Sequence, residues 1–122
     1  MIKKYKTVLI TGAANGIGLS ILKKLSQHKL KIYALDKNNK KLNKICKDTN
    51  AIPICLDISN IDLLYSKISK LNIDILISNA GIGNGITGLL NSSKNDILKS
   101  TKVNFESVLH LIKILVPKMV RK

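Results

Sequence analysis

The sequence is poor in cysteine and histidine and contains no long apolar run, and these absences exclude several classes of protein. Its two cysteines, Cys46 and Cys55, lack the spacing of a metal site and have no histidine near them. Two such thiols are typical of a reducing cytoplasm. The apolar run near the N-terminus is too short for a signal peptide, and no apolar stretch could span a bilayer. We therefore expect a soluble cytoplasmic protein that binds neither a metal nor a membrane.

Acidic residues and arginine are also scarce. The 122 residues include 21 lysines and arginines against 7 acidic residues, a formal net charge of +14, and Arg121 is the only arginine. Such a charge suggests nucleic acid, because phosphate contacts dominate non-specific binding. The lysines, however, are spread along the chain, and specific phosphate or base recognition favours the arginine fork. The sequence therefore disfavours nucleic acid, and a basic protein that binds nucleic acid or an acidic surface is the weakest of three hypotheses.

Short apolar runs alternate with segments of helical periodicity along the whole chain. The runs predict strands at residues 7–11, 31–35, 51–56 and 73–78, and Pro53 would place the third strand at a sheet edge. Helices are predicted between them, and a glycine-rich loop over 81–88 precedes a long last helix from about Ser93. Regular alternation of strands and helices implies a parallel sheet. We predict one α/β domain over residues 1–122, a Rossmann-like doubly wound parallel sheet of order 3-2-1-4, truncated after the fourth strand and helix.

Three glycines follow the first predicted strand at the spacing G-x-x-x-G-x-G, at Gly12, Gly16 and Gly18. A dinucleotide-binding turn needs glycine for its tight bend, for the approach of backbone to a pyrophosphate, and for close contact between helix and sheet. The following helix N-terminus would offer N–H groups and a positive dipole end to the phosphates. A plain strand-to-helix turn would tolerate the same glycines, so the triplet alone leaves both interpretations open.

Polar residues end the other three predicted strands as well. Asp36 ends the second strand, Asp57 ends the third in "LDIS", and Asn79 follows the fourth in "SNAG". The carboxyl ends of parallel strands meet at one edge of a sheet, where a single ligand can contact all of them. Asp36 stands where a carboxylate would accept hydrogen bonds from adenosine ribose hydroxyls, although an aspartate there also suits a helix cap. Taken together, the four strand ends favour a dinucleotide site.

The set "TGAANGIG", Asp36, "LDIS" and "SNAG" resembles the short-chain dehydrogenase/reductase family, in order and spacing, over essentially the whole chain. The resemblance implies an NAD(P)-dependent oxidoreductase that transfers a hydride between nicotinamide and the carbonyl or alcohol group of a small-molecule substrate. It also implies cofactor-binding roles: Gly12, Asn15, Gly16, Ile17 and Gly18 for the pyrophosphate, Asp36 for the adenosine ribose, Asp57 and Ile58 for the adenine, and Asn79, Ala80 and Gly81 for the cofactor ribose. Ser78 departs from the family's usual second asparagine.

The expected cofactor is NAD in preference to NADP. A carboxylate at residue 36 suits a 2′-hydroxyl, whereas a 2′-phosphate needs a cation nearby. In the family, a basic residue just before the second motif glycine often marks NADP, and Asn15 stands there instead. Lys37 is a counter-indication.

The resemblance assigns one catalytic residue within the chain, Asn104. This asparagine shares a predicted helical face with Ile97, Val108, Leu111 and Leu115. An amide on an apolar face must find hydrogen-bond partners. A neighbouring backbone group is the usual partner. The segment also resembles the family's fourth helix, whose asparagine holds a water in the proton relay, and Asn104 matches that position.

The remaining proton-transfer residues of the family have no counterpart here. In the family, a serine, a tyrosine and a lysine four residues after the tyrosine lie beyond the fourth helix, and this sequence ends at Lys122. We expect the cofactor-binding half of a short-chain oxidoreductase, from a truncated or split gene. The alternative is a non-catalytic dinucleotide-binding sensor or partner subunit. Either would leave the fourth strand as an open edge and expose an apolar face of the last helix, which favours association, including a homo-oligomer through that helix.

Overall fold

The computed structural model describes residues 4–83 and 88–121, so residues 84–87 of the predicted glycine-rich loop lie outside the described part. Strands and helices alternate as the sequence predicts, and they are listed here in chain order: β1 (Thr7–Thr11), α1 (Gly16–Leu25), β2 (Lys31–Asp36), α2 (Asn39–Thr49), β3 (Ile52–Cys55), α3 (Ile61–Ile68) and β4 (Ile75–Ile77). A 3₁₀ turn at Leu89–Asn91 then precedes a long helical segment: α4 (Lys94–Thr101), a π-helical turn (Lys102–Glu106) and α5 (Ser107–Val120).

The four strands form a parallel sheet in the order β3-β2-β1-β4, which confirms the predicted Rossmann-like topology. Strand β1 is central, and its Val8 lies opposite Ile32 of β2 and Ile75 of β4. Strand β3 lies at one edge, as Pro53 suggested. Strand β4 lies at the other edge of the described sheet, and it is shorter than predicted.

Helices cover both faces of the sheet. Successive side chains of β1 point to opposite faces and therefore pack against helices on both sides. Val8 and Ile10 pack with Leu22 of α1 and Leu42 of α2 in one buried cluster. Leu9 packs in a second cluster, on the face covered by α3 and α5, with Leu64, Ile68, Leu111 and Leu115 among its members. Burial on both faces explains why β1 is a continuous apolar run instead of an alternating one.

The predicted last helix is a continuous helical segment with a π-helical turn in its middle. It begins with a capping box, in which the Ser93 hydroxyl accepts the Asp96 N–H at 3.1 Å and the Asp96 carboxylate accepts the Ser93 N–H at 3.0 Å. A π turn adds a residue per turn and so changes which residues face the sheet. Six large apolar side chains are exposed along this segment: Ile97, Leu98, Phe105, Leu109, Ile112 and Val120. The predicted exposure of an apolar face is therefore confirmed.

No helix in the described part of the chain is both long and apolar enough to cross a membrane. Residues 4–83 and 88–121 also contain no group of three His, Cys, Asp or Glu side chains arranged to hold a metal ion.

Candidate functional site: a cleft at the carboxyl ends of the strands

The glycine turn after β1 has two kinds of glycine, which differ in what surrounds them. Gly12 and Gly16 have φ values of +67° and +50°, a region that side chains other than glycine rarely adopt. A Cβ on Gly18 would lie 2.1 Å from the Gly12 carbonyl oxygen, whereas a Cβ on Gly16 would meet nothing within 4 Å. Gly18 therefore permits contact between α1 and β1, and Gly16 presents bare backbone to an open cleft.

Helix α1 points its N-terminus at this cleft. Asn15 precedes the helix with an extended backbone, and its side chain makes no capping hydrogen bond. Ile17, in the first turn, is 73% exposed. The first N–H groups of a helix have no partner within the helix, so the turn can bind an anion such as a pyrophosphate.

Asp36 is fixed at the end of β2 by two backbone donors. Its Oδ2 accepts the Ala14 N–H at 3.0 Å, and its Oδ1 accepts the Asn38 N–H at 2.9 Å. The side chain is half-buried and lines the cleft together with Gly12 and Gly16. Each carboxylate oxygen can accept more than one hydrogen bond, so the group can still receive hydroxyl donors from a ribose.

Hydrogen bonds of Asn79 and Thr11 join the end of β4 to the glycine turn. The Asn79 side chain donates to the carbonyl oxygens of Thr11 and Gly12, at 3.1 and 3.3 Å. The hydroxyl oxygen of Thr11, which is fully buried, accepts the N–H groups of Asn79 and Ala80, both at 3.0 Å. The amide of Asn79 is thus directed into the fold, and Thr11 is a site-building residue that the sequence analysis missed.

At the far end of the cleft, Asp57 and the buried Ile58 follow β3. Hydrogen bonds from the hydroxyl and backbone N–H of Ser59, at 2.7 and 2.9 Å, lower the pKa of Asp57. Partial burial opposes this shift, and the charges of Lys37 and Lys99 add to it. The carboxylate therefore stays ionised, and as an acceptor it suits amino or hydroxyl donors.

A largely apolar cavity extends this end of the cleft between the sheet and the π-helical turn. Its lining residues include several of the predicted ones, namely Gly12, Asp36, Asp57, Ile58, Ala80 and Gly81. Leu35, Ile82 and Val103 line it as well, and the sequence pattern did not predict Leu35 or Val103 as lining residues. A planar apolar group such as a purine ring would fit among them. Their apolar character gave no signal, because buried apolar residues are expected anywhere in the core.

Asn104 lies in the π-helical turn and binds the backbone that follows β4. Its Oδ1 accepts the Ile82 N–H at 2.8 Å, and its Nδ2 donates to the Ile82 carbonyl oxygen at 2.7 Å. The expectation that Asn104 sits on an apolar face is wrong, because Asn104 is exposed. The alternative that a backbone group satisfies the amide is confirmed.

The described structure thus gathers the predicted cofactor-binding residues around one cleft. Gly12, Asn15, Gly16, Asp36, Asn79 and Gly81 line its central part. Ile17 and Gly18 form the first turn of α1 beside it. Asn104 contacts its border through Ile82.

Comparisons with known proteins agree with this arrangement. The family model that matches the chain is described as short chain dehydrogenase and covers residues 6–122. An uncharacterized short-chain type dehydrogenase/reductase of Sinorhizobium fredii, y4eK, is 29% identical over 98% of this chain and 48% of its own length. The 3-oxoacyl-[acyl-carrier-protein] reductase FabG of Buchnera aphidicola is 32% identical over 96% of this chain and 50% of its own length.

A solved structure of similar fold is the closed form of serine dehydrogenase complexed with NADP⁺, at 26% identity and a TM-score of 0.86. The match covers 94% of this chain and 49% of that one. The chain therefore spans about half the length of the relatives it matches.

Proposed function

Because the chain belongs to the short chain dehydrogenase family, we propose that its cleft binds a nicotinamide dinucleotide for hydride transfer between the nicotinamide and a carbonyl or alcohol group. The chain covers about half of its relatives, so the whole reaction, including its small-molecule substrate, is part of the proposal. Residues 1–122 would act in it as one dinucleotide-binding domain.

One observation carries this proposal: the glycine turn and the Asp36 carboxylate lie in a single cleft, at a distance from each other fixed by hydrogen bonds. Ala14 belongs to the turn, and its N–H donates to Asp36 at 3.0 Å. An anion-binding turn and a hydroxyl-binding carboxylate side by side match a pyrophosphate and its adjoining ribose. The bare backbone of Gly16, with open space where a Cβ would lie, supports the approach of the pyrophosphate.

Different residues of the chain would bind different parts of the dinucleotide. The turn from Gly12 to Gly18 would hold the pyrophosphate, Asp57 and Ile58 would meet the adenine, and Asn79 to Gly81 would border the nicotinamide ribose. Asn104 would hold a proton-relay water beside Ile82, which its amide fixes in place. The cofactor, when bound, supplies the hydride chemistry, and these residues orient it.

For the choice of cofactor, we propose that NAD binds more tightly than NADP. The carboxylate of Asp36 is held in the cleft by two N–H donors, where it favours a 2′-hydroxyl and opposes a 2′-phosphate. The absence of a basic residue at Asn15 supports the same choice.

Calorimetry with NAD⁺ tests the proposal on the full chain. Removing the carboxylate in Asp36→Ala should weaken NAD⁺ binding by roughly tenfold or more, because charged hydrogen bonds contribute about 1.5–3 kcal/mol each. Asp62→Ala, which removes an exposed acidic residue on α3, is the control and should bind as the wild type does. Folded wild-type protein that ignores both NAD⁺ and NADP⁺ would refute the proposal.

A second candidate function is a non-catalytic dinucleotide-binding sensor or partner subunit. In residues 4–83 and 88–121, the Tyr-x-x-x-Lys spacing occurs only at Tyr33 and Lys37, which lie on and just after β2 instead of on one helix. Tyr33 and Lys37 therefore do not form a proton-transfer pair, so residues 1–122 on their own would bind the dinucleotide without turnover. NAD⁺ binding accompanied by turnover of a panel of ketones and alcohols would exclude it.

Partners and location complete the proposal. The exposed apolar side chains of α4, the π turn and α5 support pairing of two copies through the last helix. Both described cysteines are free thiols, which supports the cytoplasm. That the chain binds no nucleic acid stays a prediction, and a gel-shift assay at low and high salt tests it.

A further inference from the structure

A groove runs between α1 and α2, on the face of the sheet opposite α3 and α5. Its lining residues lie at helical spacing, so each of the two helices presents one side to it. They include Leu19, Lys23, Lys41, Lys44, Ile45 and Asp48. Its volume of about 320 Å³ is at the lower end of the range for ligand pockets. The groove can therefore receive side chains of a segment that lies along it.

Apolar side chains lie between the two walls of this groove. Leu19 of α1 and Ile45 of α2 are both half-buried there. Ile45 packs against the buried cluster that includes Leu22 and Leu42, whereas Leu19 belongs to neither of the buried clusters that the described residues form. An apolar side chain that entered the groove would remove more of this apolar surface from water, which is favourable.

Positive charge flanks the apolar side chains on both walls. Lys23 of α1 and Lys41 and Lys44 of α2 are exposed, and none of them forms an ion pair with an acidic side chain within residues 4–83 and 88–121. Asp48 is the acidic residue among the described lining groups. An anionic partner would therefore be attracted to the groove from both sides.

The charge of the whole α1–α2 layer has the same sign. Residues 16–51 contain nine lysines against two acidic residues, Asp36 and Asp48, and the Asp36 carboxylate is directed to backbone N–H groups at the glycine turn and before α2. Residues 57–121 contain eight basic and five acidic residues. The lysines are spread along the chain, but the positive charge that no acidic residue balances is concentrated on this side of the sheet.

The groove suits an acidic peptide segment better than a nucleic acid or a membrane. Nucleic-acid recognition uses arginine forks and aromatic stacking, and the described lining residues include no arginine and no aromatic side chain. A membrane takes up apolar side chains that project from a surface, and no large apolar side chain of residues 18–51 is exposed. Apolar side chains between lysine walls instead match a segment with an apolar face and flanking carboxylates.

We propose that the α1–α2 groove is a docking site for an acidic amphipathic segment of a partner protein. The segment would place apolar side chains against Leu19 and Ile45, and carboxylates beside Lys23, Lys41 and Lys44. This inference does not require a dinucleotide in the cleft. Pairing of two copies through the last helix would leave the groove open, because it lies on the other face of the sheet. The competing explanation is that these lysines are solvated charges of a generally basic chain.

A synthetic peptide tests the proposal on the full chain. The probe is a fluorescein-labelled amphipathic peptide of about 15 residues, long enough to form a helix, with leucines along one face and glutamates flanking them. One control peptide has the same residues in scrambled order, and a second has glutamines in place of the glutamates. Binding is measured by fluorescence anisotropy at physiological ionic strength.

Two double variants of α2 change the charge equally but at different places. Lys41→Gln with Lys44→Gln alters the groove, whereas Lys40→Gln with Lys47→Gln removes exposed lysines of the same helix that do not line it. Leu19→Gln alters the apolar surface, and Leu19→Met preserves it. Circular dichroism melts establish that each variant is folded, and the two lysine variants test the proposal even where Leu19→Gln is not.

We expect the wild type to bind the acidic amphipathic peptide more tightly than either control peptide. The Lys41→Gln, Lys44→Gln variant should lose about three- to tenfold in affinity, the effect of two partly exposed charge pairs. Leu19→Gln should lose a similar factor because apolar burial is lost. The Lys40→Gln, Lys47→Gln variant and Leu19→Met should bind as the wild type does.

Three results would overturn the inference: wild-type protein that ignores the acidic peptide, equal losses in the two lysine variants, or equal affinities for the amphipathic and scrambled peptides. Duplex DNA that binds more tightly than the peptide, and is lost in the Lys41→Gln, Lys44→Gln variant, would also overturn it, because the groove would then be a nucleic-acid site. None of these results bears on NAD⁺ binding, which calorimetry measures separately.

Discussion

Replacement of Gly18 by alanine tests whether this glycine is required for the packing of α1 against β1, in addition to any role in binding a ligand. Gly18 lies in the first turn of α1, and an added Cβ would come within 2.1 Å of the Gly12 carbonyl oxygen and 2.9 Å of its carbonyl carbon. Both atoms belong to the backbone of the turn, so no side-chain rotation can relieve the contact. Helix α1 would have to move away from β1.

The expected loss of stability follows from the backbone atoms that the added Cβ would displace. Overpacking a tight interior contact costs about 1–3 kcal/mol where side chains can adjust, and the backbone contact at Gly18 places the cost at about 3 kcal/mol or more. A third contact, 2.5 Å from Asn79 Nδ2, would also disturb the hydrogen bonds that join β4 to the turn. For a domain of this size, about 3 kcal/mol corresponds to a fall in Tm of about 12 °C.

Gly16→Ala is the matched comparison. Its Cβ would meet nothing within 4 Å, so its cost is the strain of a φ of +50°, about 1 kcal/mol or a Tm lower by about 4 °C. Its main effect should be on dinucleotide affinity, because the methyl group would enter the open cleft. Thermal melts by circular dichroism give both values. A Gly18→Ala variant that melts within about 2 °C of the wild type would refute the packing argument.

Two further variants test other contacts of the cleft. Thr11→Val should lower the free energy of unfolding by roughly 2 kcal/mol in urea titrations, because the N–H groups of Asn79 and Ala80 lose their acceptor, while Thr11→Ser should retain most of the stability; equal losses in both would contradict this role. Ser59→Ala should raise the pKa of Asp57 toward its ordinary value and lower stability by about 0.5 kcal/mol, a small value because the carboxylate is exposed. Since a lowered pKa stabilises the fold above about pH 4 and the effect is lost as pH falls through the folded-state value, the stability curves of variant and wild type should converge at low pH, and a constant offset would count against it.

Much of the fold could be predicted because apolar periodicity is strong in this chain. The run around Val8 to Ile10 predicts a strand covered on both faces, and both faces of β1 are covered. The strand order follows from the alternation of strands and helices together with the glycine turn after β1. The sequence predicts a longer β4 than the structure has, because apolar residues continue into the flanking segments. The ladder of β4 with β1 extends only from Ile75 to Ile77.

The candidate site was less completely predictable because some of its parts depend on contacts between distant segments. A threonine that ends a strand gives no sign that its hydroxyl will accept two N–H groups from β4, 68 and 69 residues away in sequence. The sequence does not predict the π-helical turn either, because the apolar pattern around Asn104 resembles that of a regular helix. The apolar face expected for Asn104 was therefore not observed, and Val103 was not predicted as a lining residue.

The same atoms that make the cleft also hold the fold together, and this limits what the sequence pattern can say about binding. The Gly12 carbonyl accepts the Asn79 amide and abuts Gly18, so three residues of the dinucleotide pattern are required by the packing of β1, β4 and α1 alone. A strand-to-helix turn without any ligand would need them as much. Gly16 and Asp36 differ, because one presents open backbone and the other a carboxylate with spare acceptor capacity to the cleft. These two residues therefore indicate a bound dinucleotide more strongly than the rest of the pattern does.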